Sequence, residues 1–459
     1  MKTILMPLSN SFPVRNVLRT ETYSVLLSDP DVRLILLAPR DKKSYYEREF
    51  SHPRVVFDEL PNLSSRRQDK IFKVIEYSSI HSHTATILHW WELKRIGTHM
   101  GIFYRYLLFA YRRILWWLGQ FAFWRKTIRR IYYTLPSNEL GDVFNRYQPD
   151  LVFAPTLHLG ESYLLKEAKK RGIPTAGMVL SWDNFYSKTL LRVHPDYLIV
   201  HTPHIRDQAV SFGDYDRKRI VVTGIPQYDR SFRKEGIVAR DEFLRSLEGD
   251  PAKKTIVYAF SGKAVLDREF DMLDILYKAM KTGDIKANVQ VLARPYPRYD
   301  FPEGRLKKIR EEYGFLAKPA MAHVGTSHND NWEFDESSLH LQTNTLAHAD
   351  VIVTMFSTFF IEGAVFDKPL IAPCFDGYRE FDYYNSARRF FDWDHLREIK
   401  PLGGIRLVSN AKEFIEAINV YLENPRLDEE GRRRMVEQQC FYTDGESGRR
   451  VAQALLGMI

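Results

Sequence analysis

The sequence predicts an α/β protein with two doubly wound parallel sheets. Its strand-like segments are near-continuous apolar runs separated by amphipathic helix-like segments, a pattern typical of parallel sheets covered on both faces. This alternation of strand-like and helix-like segments stops at a charged stretch between Arg230 and Lys254 and then begins again. A chain of 459 residues is also too long for one ordinary core. We therefore predict an N-terminal domain over 1–228 and a C-terminal domain with a tail helix over 229–459.

Each predicted domain has its own set of strands. Because the intervening segments VRNVLRTETYSVLLSD and GESYLLKEAKKRG have helical spacing, the connections are expected to be βαβ crossovers. The first set is TILMPLS, VRLILLAP, DLVFAPT, IPTAGMVLSWDN and PDYLIVHT. The second set is KTIVYAFSG, NVQVLARPYP, MAHVG, DVIVTMFS and KPLIAPC.

Composition excludes several classes of protein. The chain has only two cysteines, too few for a disulfide framework, and they show no zinc-site spacing with histidine. It has no uncharged apolar run of the ~18 residues needed to span a bilayer, and its start reads as a buried strand instead of a signal peptide. We expect a cytoplasmic protein, peripheral at most on the inner face of the membrane, with no metal site.

Four polar loops follow predicted strands. Open α/β sheets bind ligands at the carboxyl ends of their strands, so these loops are the candidate sites. They are SNSFPVRN, TLHLGES, SWDNFYSK and FSTFFIEG.

The last of these loops carries two hydroxyls and a carboxylate. Ser357 and Thr358 come where a strand gives way to a helix, whose N-terminal N–H groups attract anions. Glu362 lies within one helical turn and can accept a hydrogen bond from a ribose hydroxyl. The pattern predicts a phosphate and ribose site, with helix capping by Ser357 or Thr358 as the structural alternative.

The stretch HLQTNTLAHADVIVTMFSTFFIEGAVFDKPLIAPCFDG resembles the nucleotide-binding half of GT-B glycosyltransferases. It is similar to CDP-glycerol glycerophosphotransferase-type enzymes and to non-hydrolysing UDP-N-acetylglucosamine 2-epimerases. IVVTGIPQYD resembles the end of their first domain, and YAFSGK their first C-domain strand with its phosphate-side loop. LARPYPRYD resembles an Arg/Lys-Pro-His-Pro element, but Tyr296 stands where the histidine is expected.

The resemblance implies a GT-B fold, with two Rossmann-like domains facing a cleft and a C-terminal helix packing back. It implies a nucleotide-activated sugar as substrate, no separate cofactor and no metal. Ser357, Thr358 and Glu362 would hold the donor. Gly262 and Lys263 in the YAFSGK loop, together with Arg294, would contact its phosphates, with a solvated surface position as the alternative for Arg294.

The acceptor hydroxyl needs a base if it displaces the leaving group directly. The predicted first domain offers three catalytic candidates at strand ends: His158 and Glu161 in TLHLGES, and Asp183 beside Trp182 in SWDN. A turn-forming role is the alternative for Asp183. Trp332 and Phe334 could line a substrate pocket or cover the edge of the core, and we expect the second.

A basic aromatic segment occupies residues 90–135. Leu93 to Pro136 contains no Asp or Glu but nine Lys and Arg residues, and 101–133 holds twelve aromatic residues. Tryptophan, tyrosine and arginine together favour the headgroup region of an anionic membrane. Packing of these aromatics against the sheet is the main alternative. Nucleic-acid binding is not expected, because no RNA-binding signature accompanies them.

These observations predict a glycosyltransferase that moves a sugar, or a sugar-like phospho-alcohol, from a nucleotide-activated donor to a surface-polysaccharide or lipid-linked acceptor. Three alternatives stay open: a CDP-glycerol-type glycerophosphotransferase, a non-hydrolysing UDP-sugar 2-epimerase, and a catalytically silent nucleotide-sugar binder.

Overall fold

The structure is a computed structural model that describes residues 1–61, 67–96, 100–136, 140–157, 159–188, 190, 192–296, 301–317, 322–326 and 332–459. The chain divides into two compact units. Unit 1 comprises Met1–Asp229, Val324–Ser327 and Gln439–Ile459. Unit 2 comprises Arg230–His323 and His328–Gln438.

Unit 1 is built on a seven-stranded parallel sheet with the order β3-β2-β1-β4-β5-β6-β7. Its strands are β1 (Lys2–Pro7), β2 (Val32–Ala38), β3 (Val55–Glu59), β4 (Leu151–Ala154), β5 (Thr175–Met178), β6 (Tyr197–Val200) and β7 (Ile220–Val222). The first six strands have the order of a Rossmann sheet. Successive strands are added on one side of β1 up to β3, and the strands from β4 onward are added on its other side.

Helices cover both faces of this sheet, and two buried apolar clusters fill the space between them. The longer helices are Glu21–Ser28, Arg67–Ser78, His83–Lys94, Ile102–Leu118, Ala122–Thr134, Leu159–Lys170, Pro203–Ser211 and Ser447–Leu456. Shorter helices and turns are Ser11–Pro13, Val14–Leu18, Lys43–Glu49, Gly141–Tyr147, Asn184–Lys188, Arg217–Arg219 and Pro226–Tyr228. Within the described residues no helix is both long and apolar enough to cross a bilayer.

Unit 2 repeats the same plan with a six-stranded parallel sheet of order β10-β9-β8-β13-β14-β15. The strands from β8 onward are β8 (Lys254–Ala259), β9 (Val289–Arg294), β10 (Leu316–Ala317), β11 (Ala322–His323), β12 (Trp332–Glu333), β13 (Val351–Val353), β14 (Leu370–Pro373) and β15 (Arg406–Val408). The strand order reverses between β8 and β13.

The helices after the boundary cover the second sheet. The longer ones are Leu266–Thr282, Glu336–His348, Ala411–Glu423 and Glu429–Gln439. The shorter ones are Asp229–Phe232, Arg240–Ser246, Lys263–Val265, Glu303–Lys307, Lys308–Glu312, Phe359–Val365, Ala387–Asp392, Asp394–Ile399 and Lys400–Leu402.

The C-terminal helix Ser447–Leu456 belongs to unit 1 and packs on the helix Glu21–Ser28. The Thr22 hydroxyl donates to the Gly448 carbonyl at 3.0 Å. The Asp229 carboxylate accepts from the N–H groups of Ser447 and Gly448 at 3.0 and 2.7 Å, which satisfies the first N–H groups of this helix. The tail helix therefore returns to the N-terminal unit, as predicted.

The α/β class and the two parallel sheets are confirmed, but one predicted strand is wrong. MAHVG was expected in the second parallel sheet; instead β11 pairs antiparallel with β12. The edge of the sheet next to β9 is formed by β10, which pairs parallel with β9 through Leu316 and Ala317. Such short apolar runs carry too little periodicity to decide which of them joins a sheet.

Candidate functional site

Hydrogen bonds join the loops after β8 and β13, at the point where the strand order of the sheet in unit 2 reverses. The Ser261 hydroxyl, after β8, accepts hydrogen bonds from the N–H groups of Met355 and Phe356, each at 3.1 Å. It also lies 3.1 Å from the Thr354 hydroxyl. Ligands bind in the crevice at such a reversal, so one serine fixes the relative position of its two candidate walls.

A buried carboxyl group holds the first loop. Glu269, on the helix Leu266–Thr282, accepts from the Ser261 N–H at 2.6 Å. Burial raises the pKa of Glu269 to about 8 and outweighs the hydrogen bonds from Ser261 and Gly262. Gly262 has a φ of 152°, which glycine adopts without a Cβ clash. The Lys263 backbone begins a short turn, but its predicted phosphate-binding side chain lies outside the described residues.

Ser357 and Thr358 precede the helix Phe359–Val365. The Ser357 hydroxyl accepts from the Phe359 N–H at 3.2 Å, and carbonyl oxygens of Ser357 and Thr358 accept from the next three N–H groups of the helix. The two residues before the helix therefore provide the acceptors for its first four N–H groups. Among the described residues, the N–H groups of Ser357 and Thr358 themselves have no acceptor.

Glu362 and Arg294 are brought together by a residue that the sequence did not single out. Glu362 is only 4% exposed and accepts a hydrogen bond from the Gln342 side-chain amide. The carbonyl oxygen of that amide accepts from Arg294 Nη2 at 3.4 Å. Arg294 ends β9, where it pairs with Ala259 of β8, and its guanidinium lies 4.9 Å from the centre of the Phe359 ring.

These side chains offer one ligand several kinds of contact. Guanidinium and N–H groups bind phosphate oxygens, and a carboxylate accepts from sugar hydroxyls. Cation, carboxylate and hydroxyls all lie at the carboxyl edge of a single sheet. Within the described residues, no group of three or more His, Cys, Asp or Glu side chains is placed to hold a metal ion.

In unit 1, Glu161 lies at the equivalent reversal between β1 and β4. Its carboxyl group is fully buried and accepts from the Thr156 N–H at 3.0 Å, the Thr156 hydroxyl at 2.6 Å and the Ser9 hydroxyl at 3.0 Å. Burial raises the pKa of Glu161 to about 7 against these hydrogen bonds. In this conformation Glu161 joins the loops after β1 and β4, and it presents no surface to an acceptor.

Asp183 lies in the loop after β5 and is partly exposed. Its carboxylate forms an ion pair with Lys188 at 2.7 Å and accepts from the hydroxyls of Ser181 and Ser187. Because β4 and β5 are parallel neighbours, Asp183 and Glu161 follow their strands at the same sheet edge. The third candidate, His158, lies outside the described residues.

Trp332 and Phe334 are buried. Both are 3% exposed, and their rings meet edge to face at 5.4 Å. The expectation that they cover part of the core is confirmed.

The basic aromatic segment forms three helices whose buried arginines stabilise unit 1. Arg125 and Arg129 both bind Asp214, with Arg129 Nη1 2.7 Å from Asp214 Oδ2. Arg112 forms an ion pair with Glu92. Many of the large apolar residues of the segment face outward instead: Ile102, Phe103, Tyr104, Tyr106, Leu107, Tyr111, Ile114, Trp117, Phe123 and Ile131. We call these ten residues the outer apolar face.

Residues 181–457 match the sequence profile of the family described as CDP-Glycerol:Poly(glycerophosphate) glycerophosphotransferase. The match covers more than half of the chain. The chain belongs to this family. The resemblance to CDP-glycerol glycerophosphotransferase-type proteins is thus confirmed, and the matched region contains the whole of the unit 2 site together with Asp183.

A curated relative of this family member is a processive diacylglycerol beta-glucosyltransferase of Staphylococcus epidermidis. It is 27% identical over 171 residues, which cover 34% of this chain and 41% of the relative. The alignment therefore spans about two fifths of that relative's length.

Two solved structures share the fold of this family member over nearly all of the chain. The UDP-GlcNAc 2-epimerase of Methanocaldococcus jannaschii is 14% identical with a TM-score of 0.53, and the alignment covers 100% of both chains. A variant of the wall teichoic acid polymerase TagF, soaked with CDPG, is 13% identical with a TM-score of 0.50, over 99% of this chain and 88% of that one. At such identities the likeness supports the fold alone.

Sequence reasoning missed three residues of the candidate site in unit 2 of this family member: Ser261, Glu269 and Gln342. Ser261 and Gln342 stand within the stretches that carry the resemblance, yet neither residue type marks a donor site by itself. Glu269 had a weak signal as an acidic residue close to the apolar residues Phe270, Met272 and Leu273. Their roles depend on contacts between segments 8 to 94 residues apart in the chain.

Proposed function

We propose that this chain is a transferase that takes a group from a nucleotide-activated donor and adds it to a hydroxyl of a surface-polysaccharide or lipid-linked acceptor. The observation that carries the proposal is the cluster at the β8/β13 reversal, where Arg294, Gln342 and Glu362 stand beside the loops joined by Ser261. Groups suited to bind phosphate and ribose therefore lie at one sheet edge.

In this proposal the donor diphosphate contacts the N–H groups and hydroxyls of Ser357 and Thr358, with Gly262 and Lys263 on the opposite loop. Arg294 neutralises part of the negative charge that grows on the leaving nucleotide, and Glu362 accepts from a ribose hydroxyl. These groups, and no metal ion, stabilise the leaving group. Asp183 remains the favoured base for the acceptor hydroxyl, with His158 and Glu161 as alternatives.

For sugar transfer, the acceptor oxygen forms a bond to the anomeric carbon while the bond from that carbon to the diphosphate oxygen breaks. The base takes the hydroxyl proton, and the nucleoside diphosphate leaves with the electron pair. This GT-B-type glycosyl transfer is the favoured reaction, and the glucosyltransferase relative supports it.

The family match favours a second reaction, transfer of glycerophosphate from CDP-glycerol. Here the acceptor oxygen attacks the phosphorus that carries the glycerol, and CMP leaves. Tyr296, two residues beyond Arg294, stands where the resemblance leads us to expect histidine, which weighs against this reaction.

We further propose that the outer apolar face contacts a membrane and so brings the enzyme to a lipid-linked acceptor. Phe103 is 80% exposed and Leu107 is 58% exposed, one helical turn apart on Ile102–Leu118. Exposed Lys126 and Arg130 on the next helix can attract anionic headgroups. Aromatic and basic residues together favour the interface of such a bilayer.

Thermal-shift titration with UDP-, GDP-, CMP-, CDP- and dTDP-linked sugars and with CDP-glycerol tests the donor site. A donor in about 100-fold excess over its Kd stabilises by about 2.7 kcal/mol. Glu362→Gln should weaken this shift, whereas Glu380→Gln, at an exposed position, should not. With diphosphate-linked donors the released nucleotide then separates the reactions: a nucleoside diphosphate indicates sugar transfer, and CMP released from CDP-glycerol indicates glycerophosphate transfer. Absence of stabilisation by any of these compounds would refute the proposal.

A further inference from the structure

Two neighbouring cavities lie inside unit 1, among helices of the basic aromatic segment. The first has a volume of about 250 Å³ and mostly apolar walls. For comparison, an engineered apolar cavity of about 150 Å³ binds benzene. Its apolar lining is Val74, Tyr77, Ile80, Ala85 and Leu88.

The second cavity has a volume of about 180 Å³ and a basic lining. Three arginines, Arg95, Arg105 and Arg112, line it together with one acidic residue, Glu92, which forms an ion pair with Arg112. His89, Glu92 and Arg112 line both cavities, so the apolar space and the basic space share one wall.

Among the described residues, three buried nitrogen atoms around this shared wall have no hydrogen-bond partner. They are His89 Nδ1, Arg105 Nε and Arg112 Nε. His89 is 6% exposed, and burial together with the charges of Arg112 and Arg113 lowers the pKa of His89 to about 3, so its ring is neutral. A buried donor without a partner lowers stability, and an anionic ligand with several acceptor oxygens would satisfy the two arginine donors.

The apolar cavity also borders the loop that carries the acceptor-side candidate Asp183. Tyr186 and Ser187 contribute to its wall, and the Ser187 hydroxyl donates to Asp183 Oδ2 at 3.1 Å. Its other walls include the helix His83–Lys94, which packs against the helix that carries most of the outer apolar face. A bound chain would therefore lie between that helix and the Asp183 loop.

We propose that the two cavities together bind one amphiphile, with a phosphate-bearing head in the basic cavity and a hydrocarbon chain in the apolar cavity. Charge complementarity selects the anionic head, and the apolar lining selects the chain. The amphiphile is either the lipid part of the acceptor or a lipid of the surrounding membrane. The first source rests on the proposed transferase function, whereas the second does not.

Dodecyl phosphate is a suitable probe, because it carries both features and no donor is needed. Isothermal titration should show binding to the full chain, with butyl phosphate and dodecanol at least tenfold weaker. Ala85→Phe fills the apolar cavity and should weaken dodecyl phosphate binding at least tenfold. His83→Phe, which adds the same ring at an exposed position of the same helix, should not. Equal binding by Ala85→Phe and the unmodified chain would overturn the proposal.

A second, smaller substitution in the same cavity tests the proposal if the first variant does not fold. If circular dichroism shows that Ala85→Phe is unfolded, Leu88→Phe narrows the same cavity and should weaken binding in the same direction, and unchanged binding by that variant would equally overturn the proposal. Arg105→Gln should weaken dodecyl phosphate but leave dodecanol unaffected, since only the head contacts that residue.

Two further measurements identify the source of the amphiphile. If it is the acceptor, the cavity-filling variant raises KM for a long-chain acceptor but leaves a short-chain acceptor with the same head unchanged. If it is a membrane lipid, the variant reduces flotation with phosphatidylglycerol vesicles and leaves both KM values unchanged. Failure of the transferase proposal would appear separately, as a missing donor-induced thermal shift with dodecyl phosphate binding intact.

Discussion

The side-chain amide of Gln342 donates a hydrogen bond to the buried carboxylate of Glu362. The other end of that amide accepts from Arg294. A neutral group thus contacts both a cation and an anion. The amide fixes the direction of both charged side chains, which is what a site for a diphosphate and a ribose requires.

Replacing this amide should weaken donor binding more than it weakens the fold. Gln342→Leu removes hydrogen bonds to two charged groups, each worth about 1.5–3 kcal/mol. We expect the donor Kd measured by calorimetry to rise about 10- to 100-fold. Gln453→Leu, at an exposed position of the tail helix, is the matched control. An unchanged Kd in Gln342→Leu would show that the amide does not position the donor groups.

Removing the Ser261 hydroxyl should destabilise unit 2. Ser261→Ala leaves the N–H groups of Met355 and Phe356 without their acceptor, at a cost of about 1–3 kcal/mol. Urea denaturation should show the lower free energy of unfolding. Ser246→Ala removes a hydroxyl from an exposed helix position and should change it by less than about 0.5 kcal/mol. Equal effects would mean that the link between the loops contributes no stability.

Glu269 should make stability fall as pH rises. Its pKa is raised to about 8 in the fold, so the folded state holds a proton that the unfolded state releases above its ordinary pKa. The stabilisation is complete below that ordinary pKa and is lost as pH increases toward about 8. The slope for one proton is at most about 1.4 kcal/mol per pH unit.

Glu269→Gln should flatten this dependence, since an amide keeps the shape and the acceptor for the Ser261 N–H without titrating. Urea midpoints between pH 5 and pH 8 measure the slope, and Glu416→Gln at an exposed helix position should leave it as in the unmodified chain. A slope that persists in Glu269→Gln would assign the proton to another group; Glu161, with a pKa of about 7, is the next to test in the same way.

Asp214 should be the strongest single determinant of the position of the helix Ala122–Thr134. Burial opposes its ionisation, yet the hydrogen bonds from Arg125 and Arg129 outweigh burial and lower the pKa of Asp214. Asp214→Asn leaves two buried guanidinium groups without their counterion and should cost about 3–5 kcal/mol. Asp207→Asn, at an exposed surface ion pair, should cost at most about 1 kcal/mol. Thermal unfolding measures the stability of both variants. Similar losses of stability in the two would contradict this prediction.

Membrane contact should depend on the outer apolar face. Phe103→Ser combined with Leu107→Ser removes two side chains whose burial contributes about 1.5–3 kcal/mol each. Flotation with phosphatidylglycerol vesicles should fall at least tenfold, while Phe441→Ser, at an exposed aromatic position elsewhere in unit 1, should have no effect. If the chain does not float with these vesicles even at low salt, the membrane proposal fails.

The sequence was sufficient to predict the strand ends at which the candidate ligand-binding residues of each unit lie. Parallel strands that are buried on both faces must be apolar throughout, so their ends are visible as the points where polar residues return. Ser357, Glu362 and Asp183 were found in this way. Arg294 was found through the resemblance, and the structure places it at the end of β9, beside β8.

The sequence could not distinguish a carboxylate that faces a ligand from one that holds the fold. Glu161 and Asp183 occupy similar strand-end loops, yet Glu161 is fully buried under donors from two loops and Asp183 is partly exposed. Likewise, the arginines of the basic aromatic segment were expected to meet a membrane, but Arg125 and Arg129 are buried against Asp214, 85 or more positions along the chain.

The sequence by itself determined the two parallel sheets, the restart between them and the strand-end loops, because these features depend on local periodicity and on whether a segment is buried. Only the tertiary structure decided which donors surround Glu161 and Glu269, how Gln342 links Arg294 to Glu362, and which aromatic residues remain outside. Those outcomes depend on contacts between distant segments, and a hydrogen bond or a buried ion pair forms only where folding brings both partners within reach of each other.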